Sequence, residues 1–125
     1  MRLMGIDYGS KRVGIASTDE TGEFALPRMV LENNQDLLNK VLEFINKENI
    51  EKVVMGESKN FQGAPNPIQI EIEKFKKQLE TSGVNVVLHP EILTTMEARQ
   101  LQGQTEMTDA SAAALILKSF IESRV

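Results

Sequence analysis

Apolar and polar positions change rhythm repeatedly along the chain, and each change marks an element. Leu3 to Asp7 and Arg12 to Thr18 are short apolar runs separated by Tyr8-Gly9-Ser10, a pattern that predicts two strands joined by a short turn. The small residues within them, Gly5, Gly14 and Ala16, suggest close backbone packing at the centre of a sheet. Glu23 to Leu31 reads as a third strand, with Pro27 implying a bend or a sheet edge. From about Gln35 to Lys47 the period becomes helical: Leu37, Leu38, Val41, Leu42 and Ile45 share one face, and Asn34 can cap the start.

Lys52 to Met55 is a short buried strand ending at Gly56, and the loop from Glu57 to Asn66 carries Gly63 and Pro65. Pro67 suits the first position of a second helix after Asn66 as cap. Ile68, Ile72, Phe75 and Leu79 form its buried stripe, and Gly83 stops it. Val84 to Leu88 is a fifth strand. Thr94-Thr95-Met96-Glu97 has capping-box spacing, which predicts a short third helix. After a loop at Gly103 to Met107, a last helix runs from near Thr108 to about Glu122. The order β-β-β-α-β-α-β-α-α predicts an α/β fold: three antiparallel strands, then α/β crossovers, in a mixed sheet with helices on its faces. A length of 125 residues fits one domain over 1–125.

Composition narrows the chemistry. The chain has no cysteine, which excludes disulfides and zinc-thiolate sites, and its one histidine, His89, excludes sites that need several imidazoles. No signal peptide is evident, and the longest apolar run, Ala112 to Leu117, is too short to span a bilayer, so a cytoplasmic protein without a membrane partner is expected. The net charge of −4 means that a nucleic-acid partner would have to be met by a local basic patch or a metal ion.

Three carboxylates stand at element ends: Asp7 closes the first strand, Glu91 follows the fifth after His89-Pro90, and Asp109 lies in the first turn of the last helix. Asp109 shares a helical face with Ala113, Ile116 and Phe120, which turns it toward the sheet. A last helix lying over the first strand would bring Asp109 toward Asp7. Converging acids repel one another, and a divalent cation reverses that penalty, since Mg²⁺ takes hard oxygen ligands and completes its shell with water and substrate phosphate. Each acid also has a plainer reading: Asp109 as a helix-start acid, Glu91 as a surface loop acid, Asp7 as an Asx-turn residue. Lys11 and Arg12 beside Asp7 could hold a phosphate or be merely exposed, and Glu57 could be a fourth acid. His89 reads as a strand-end residue rather than a ligand, and Lys74, Lys76 and Lys77 as a solvated face.

As an ordered set, these residues resemble the YqgF family (also called RuvX) of the RNase H-like nuclease superfamily. Gly5 to Ala16 matches its G-[IV]-D-[YF]-G-x-[KR]-R-[IV]-G-[IV]-A segment, and Val53-Val54-Met55-Gly56 its strand ending V-x-G. Glu91 to Ala98 is similar to its E-R-L-[ST]-T-x-E-A, and Asp109-Ala110-Ser111-Ala112-Ala113 with Ile116-Leu117 to its D-x-x-A-A-x-x-I-L. The resemblance implies an RNase H-like fold with sheet order 3-2-1-4-5, the first three strands antiparallel, and helices on both faces. It implies a metal-dependent endonuclease acting in 5′-end maturation of the 16S ribosomal RNA precursor, or a Holliday junction resolvase-like nuclease of branched DNA. It also implies Mg²⁺, with Mn²⁺ able to substitute, held by Asp7, Glu91 and Asp109 as catalytic residues, with Lys11 and Arg12 toward the substrate. The chain departs from the family where Ile92 replaces arginine, where Gln102 to Thr108 lacks any basic residue, and where Glu57-Ser58 replaces Leu-Pro. Each departure lowers positive charge along the substrate path, and a non-catalytic relative that binds RNA or a protein is the competing expectation.

Overall fold

Alternation along the first strand sets the layering. In the computed structural model, which describes residues 1–57, 67–90 and 107–123, strand β1 (Leu3–Tyr8) sends Met4 and Ile6 into one apolar cluster and Leu3 into another on the opposite face. By the same two-residue period, Gly5 and Asp7 lie on the face of Leu3. Strands β2 (Arg12–Thr18), β3 (Ala25–Glu32), β4 (Lys52–Glu57) and β5 (Val86–Pro90) complete one five-stranded sheet in the order β3-β2-β1-β4-β5. The pairs β1–β2 and β2–β3 are antiparallel, while β4 runs parallel to both β1 and β5. The expected mixed sheet is therefore present, strand for strand.

Helices α1 (Leu37–Glu48) and α2 (Pro67–Thr81) cover the face of Met4 and Ile6, burying Val41, Phe44, Ile72, Phe75 and Leu79 against Val13, Ile15, Val53 and Met55. Helix α3 (Met107–Ser123) covers the other face, with Ala113, Ile116 and Leu117 on Leu3, Ala16 and Val54. Its approach is close because β1 has no side chain at its middle. A Cβ on Gly5 would stand 2.7 Å from the Ala113 carbonyl oxygen and 3.1 Å from the Leu117 Cβ.

Several local expectations are refined. The bend expected at Pro27 is a β-bulge: Ile15 pairs with Met29 and Ala16 with Pro27, which leaves Arg28 as the extra residue. The bulge aims the Arg28 guanidinium at the end of α1, where it donates to Ser17 Oγ at 2.9 Å and Glu48 Oε1 at 2.8 Å and lies over the Phe44 ring. That contact holds the Glu48 carboxyl below its usual range. Asn34 is not the cap of α1. Asp36 takes that position without a side-chain cap bond, while Asn34 Oδ1 accepts from the Asp36 amide, an Asx turn ahead of the helix. On α2 the buried stripe includes Gln69, with Ile68 only half-buried. Gly83 ends that helix with φ 90°, and Val84 N–H donates to the Leu79 carbonyl. The proposed Asn66 cap and the short helix at Thr94 lie outside the described residues. Among the described residues, no helix is long and apolar enough to cross a membrane.

Two outcomes are expected. Gly5→Ala should cost about 1–3 kcal/mol of stability in urea unfolding, because α3 must lift from the sheet. Because the Glu48 pKa lies lower in the folded than in the unfolded chain, its contribution is present above pH 4.5, the usual value, and is lost as pH falls through the depressed one. Glu48→Gln should therefore flatten the acid limb of a stability–pH curve below that point.

Candidate active site

The start of the last helix is seated beside Asp7 through a missing side chain. Gly14 on β2 is the Cα partner of Asp7 on β1. A Cβ at Gly14 would run into the backbone of Asp109 and stand 2.8 Å from the Ala110 amide nitrogen. The first turn of α3 thus rests on the bare backbone of the residue paired with Asp7. Asp7 is buried, 7% exposed, on the face that α3 covers, and the Asp109 side chain is 15% exposed.

The hairpin also supplies the neighbouring cation. Arg12, Gly14 and Ala16 alternate onto the α3 face of β2, and Arg12 Nε lies 3.2 Å from Asp109 Oδ2 with the arginine side chain 54% exposed. Lys11 is exposed in the preceding turn. Asn33, which follows β3, fastens that turn on both sides: its Nδ2 donates to the Gly9 carbonyl at 2.7 Å and its N–H to the Lys11 carbonyl at 2.9 Å. Sequence reasoning missed Asn33, and no periodicity or motif connects it to Gly9.

The third predicted acid, Glu91, lies outside the described residues. Strand β5 ends just before it at Pro90, in register with Glu57 of β4, while Leu88 and Met55 align with Ile6 of β1. Glu57 alternates onto the side of Val53 and Met55, opposite Asp7, so it is not a fourth acid beside Asp7 and Asp109. His89 is the strand-end residue expected: its Nε2 is 2.9 Å from Ser119 Oγ and its ring meets Phe120 edge-on, which pins β5 to α3. Among the described residues, no three acids or imidazoles gather around a metal position. The described donors are the carboxylates of Asp7 and Asp109. Two hard oxygen ligands of this kind suit a cation of the Mg²⁺ class, which commonly takes one or two carboxylates and fills its shell with water and phosphate.

A β3-β2-β1-β4-β5 sheet with three leading antiparallel strands and helices on both faces is an RNase H-like fold, here with Asp7 near the end of the central strand and Asp109 in the first turn of the helix laid over it. The chain belongs to the RuvX family, described as Holliday junction resolvase, whose sequence profile matches residues 1–123. Among curated relatives, a Desulforudis audaxviator protein is 36% identical over 99% of this chain and 96% of its own length. A Bacillus subtilis protein is 34% identical over 98% of this chain and 99% of its own length. Both carry names that propose a pre-16S rRNA nuclease. Among solved structures, T. thermophilus RuvC in complex with a Holliday junction substrate superposes with a TM-score of 0.61 at 17% identity, over 99% of this chain and 96% of that one, which shows a shared fold.

Gly14→Ala tests the seating of the last helix. The new methyl must push the Asp109 backbone away, at a cost of about 1–3 kcal/mol in urea unfolding. The Arg12–Asp109 ion pair should be lost in a crystal structure of the variant.

Proposed function

We propose that this chain is a divalent-metal-dependent endonuclease that hydrolyses a phosphodiester bond in 5′-end maturation of the 16S ribosomal RNA precursor, working in the cytoplasm as one domain over 1–125. The observation that carries the reading is the contact of Gly14 with the Asp109 backbone, beside Asp7 at one end of the sheet. The names of the curated relatives support the substrate. Asp7 and Asp109 would hold the metal, Mg²⁺ or Mn²⁺, between them, and Glu91 would join them or orient the attacking water. The chemistry such an ion would supply there, when bound, is activation of water and stabilisation of the leaving oxygen. The chain itself supplies the rest. Asp7, buried under α3, keeps its carboxylate in one place, and Asp109 brings a second from the start of a rigid helix. Lys11 and Arg12, on a turn tied down by Asn33, offer cations to the phosphate backbone. In the reaction, oxygen from water bonds to phosphorus as one P–O ester bond breaks, and the departing oxygen leaves with a proton.

A second reading, cleavage of branched DNA, is favoured by the family's description and by the RuvC likeness in fold. The absence of basic residues from Gln102 to Thr108 favours a third, a relative that binds RNA or protein without cutting.

One assay separates them. Purified protein with Mg²⁺ or Mn²⁺ is expected to cut a pre-16S RNA at its 5′ side and to leave a four-way DNA junction whole. Asp7→Asn and Asp109→Asn should each reduce cutting to background while still unfolding in one cooperative thermal transition, which shows that the fold is kept. Equal cutting by all three proteins would defeat the assignment, cutting of the junction alone would select the DNA reading, and no cutting with retained RNA binding would select the third.

A further inference from the structure

The Asp109 carboxylate is held by a cation of the chain itself. Arg12 Nε lies 3.2 Å from Asp109 Oδ2, and the two groups project from elements brought together by the bare backbone of Gly14. Arg12 and Gly14 sit two residues apart on one face of β2, so the Arg12 backbone stands about 7 Å along the strand from the seat of Asp109 and its long side chain reaches back to the carboxylate. That geometry makes Arg12 a counter-charge for Asp109. The arginine side chain is 54% exposed, so while Nε is engaged, much of its planar fork of donors remains open to solvent.

A cation that takes Asp109 as a ligand meets this guanidinium as a like charge at the same oxygen pair. A carboxylate can serve both at once through its two oxygens, but the repulsion between the two cations weakens the arginine's hold. Arginine can yield at little cost, because its fork also matches a phosphate and its exposed side chain is free to turn. Resting on the metal-dependent reading above, we propose that Arg12 and the divalent cation exchange at Asp109: Arg12 neutralises the carboxylate in the metal-free protein, cedes it when the cation binds, and turns its freed edge to a substrate phosphate. The exchange makes phosphate binding by Arg12 conditional on a loaded metal site, so nucleic acid is gripped fully only by a protein competent to cut it.

The test uses Arg12→Gln, which removes the charge and keeps a polar side chain of similar reach. Free Mn²⁺ is followed by electron paramagnetic resonance as it titrates the wild type, Arg12→Gln and Asp109→Asn. Arg12→Gln should bind Mn²⁺ about twofold to fivefold more tightly than the wild type, the range expected for loss of one partly exposed competing ion pair. In chelator it should unfold at lower urea than the wild type, and saturating Mn²⁺ should close that gap. The second readout is binding of the RNA leader in Ca²⁺, which supports binding in place of the catalytic ion. With Ca²⁺ the variant should bind more weakly, with a salt slope smaller by about one; in chelator the two proteins should bind alike.

Mn²⁺ binding by Arg12→Gln no tighter than the wild type overturns the exchange, as does an equal RNA-binding deficit with and without Ca²⁺. Those failures leave the metal-dependent reading standing, provided that the wild type takes up Mn²⁺ and Asp109→Asn does not. Absence of Mn²⁺ uptake by the wild type, with or without RNA, removes both.

Discussion

The seating of the last helix on a strand that has no side chain beneath it governs everything at this end of the molecule. Helix packing over a sheet ordinarily leaves a layer of side chains between the backbones. Here Gly14 removes that layer under Asp109, and Gly5 removes it under Ala113, so α3 lies almost directly on the β1–β2 hairpin. The result is more than tight packing. It places the positive end of the helix dipole beside the buried Asp7 carboxylate, which offsets part of the cost of keeping a charge there. It also sets the height at which Asp109 enters, since a carboxylate in the first turn follows the backbone that carries it.

Charge is partitioned in the same way. One ionic cluster joins Arg28, Glu48 and Arg2 and ties the bulged edge strand and the start of β1 to the last turn of α1. Its members are locked by packing, with Arg28 over Phe44 and on the buried Ser17, and its work is to hold elements together. At the other end of the sheet, Asp7 and Asp109 bring like charges onto adjacent backbones, and a half-exposed arginine, Arg12, pairs with Asp109. A folding requirement alone would not select that arrangement, because two apolar residues would fill the space at lower electrostatic cost.

The sequence disclosed the parts whose signals are periodic or terminal. Asp109 was legible because Ala113 and Ile116 repeat on its helical face, and both are fully buried on the sheet. Asp7 was legible because an acid at the end of an apolar strand needs a reason. Gly5 and Gly14 announced a close approach without saying which backbone would make it. Contacts between distant segments were silent: Asn33 reaches Gly9 and Lys11 with two whole strands between them in the sequence, and the Arg12–Asp109 pair joins the two ends of the chain. Asn34 misled because asparagine serves an Asx turn as readily as a helix cap, and only the backbone path distinguishes them. The burial of Gln69 was silent too, because a polar residue on a helix announces burial only through a partner that the sequence does not show.

Under the proposed reading, this charge distribution has a consequence for how nucleic acid is held. Phosphate neutralisation ordinarily dominates affinity, yet the chain carries a net charge of −4 and no basic residue between Gln102 and Thr108. Long-range attraction toward a polyanion is therefore weak, and binding has to come from a few short-range contacts at the end of the sheet. Lys11 and Arg12 would be two such contacts, and a divalent ion on Asp7 and Asp109 would be the strongest, because it would change the local sign of the site at a stroke. A protein built this way gains little from an arbitrary stretch of duplex. It gains most from a substrate whose fold presents one phosphate to the metal and neighbouring phosphates to the Lys11–Arg12 turn, so selectivity rests on the shape of the nucleic acid rather than on its charge.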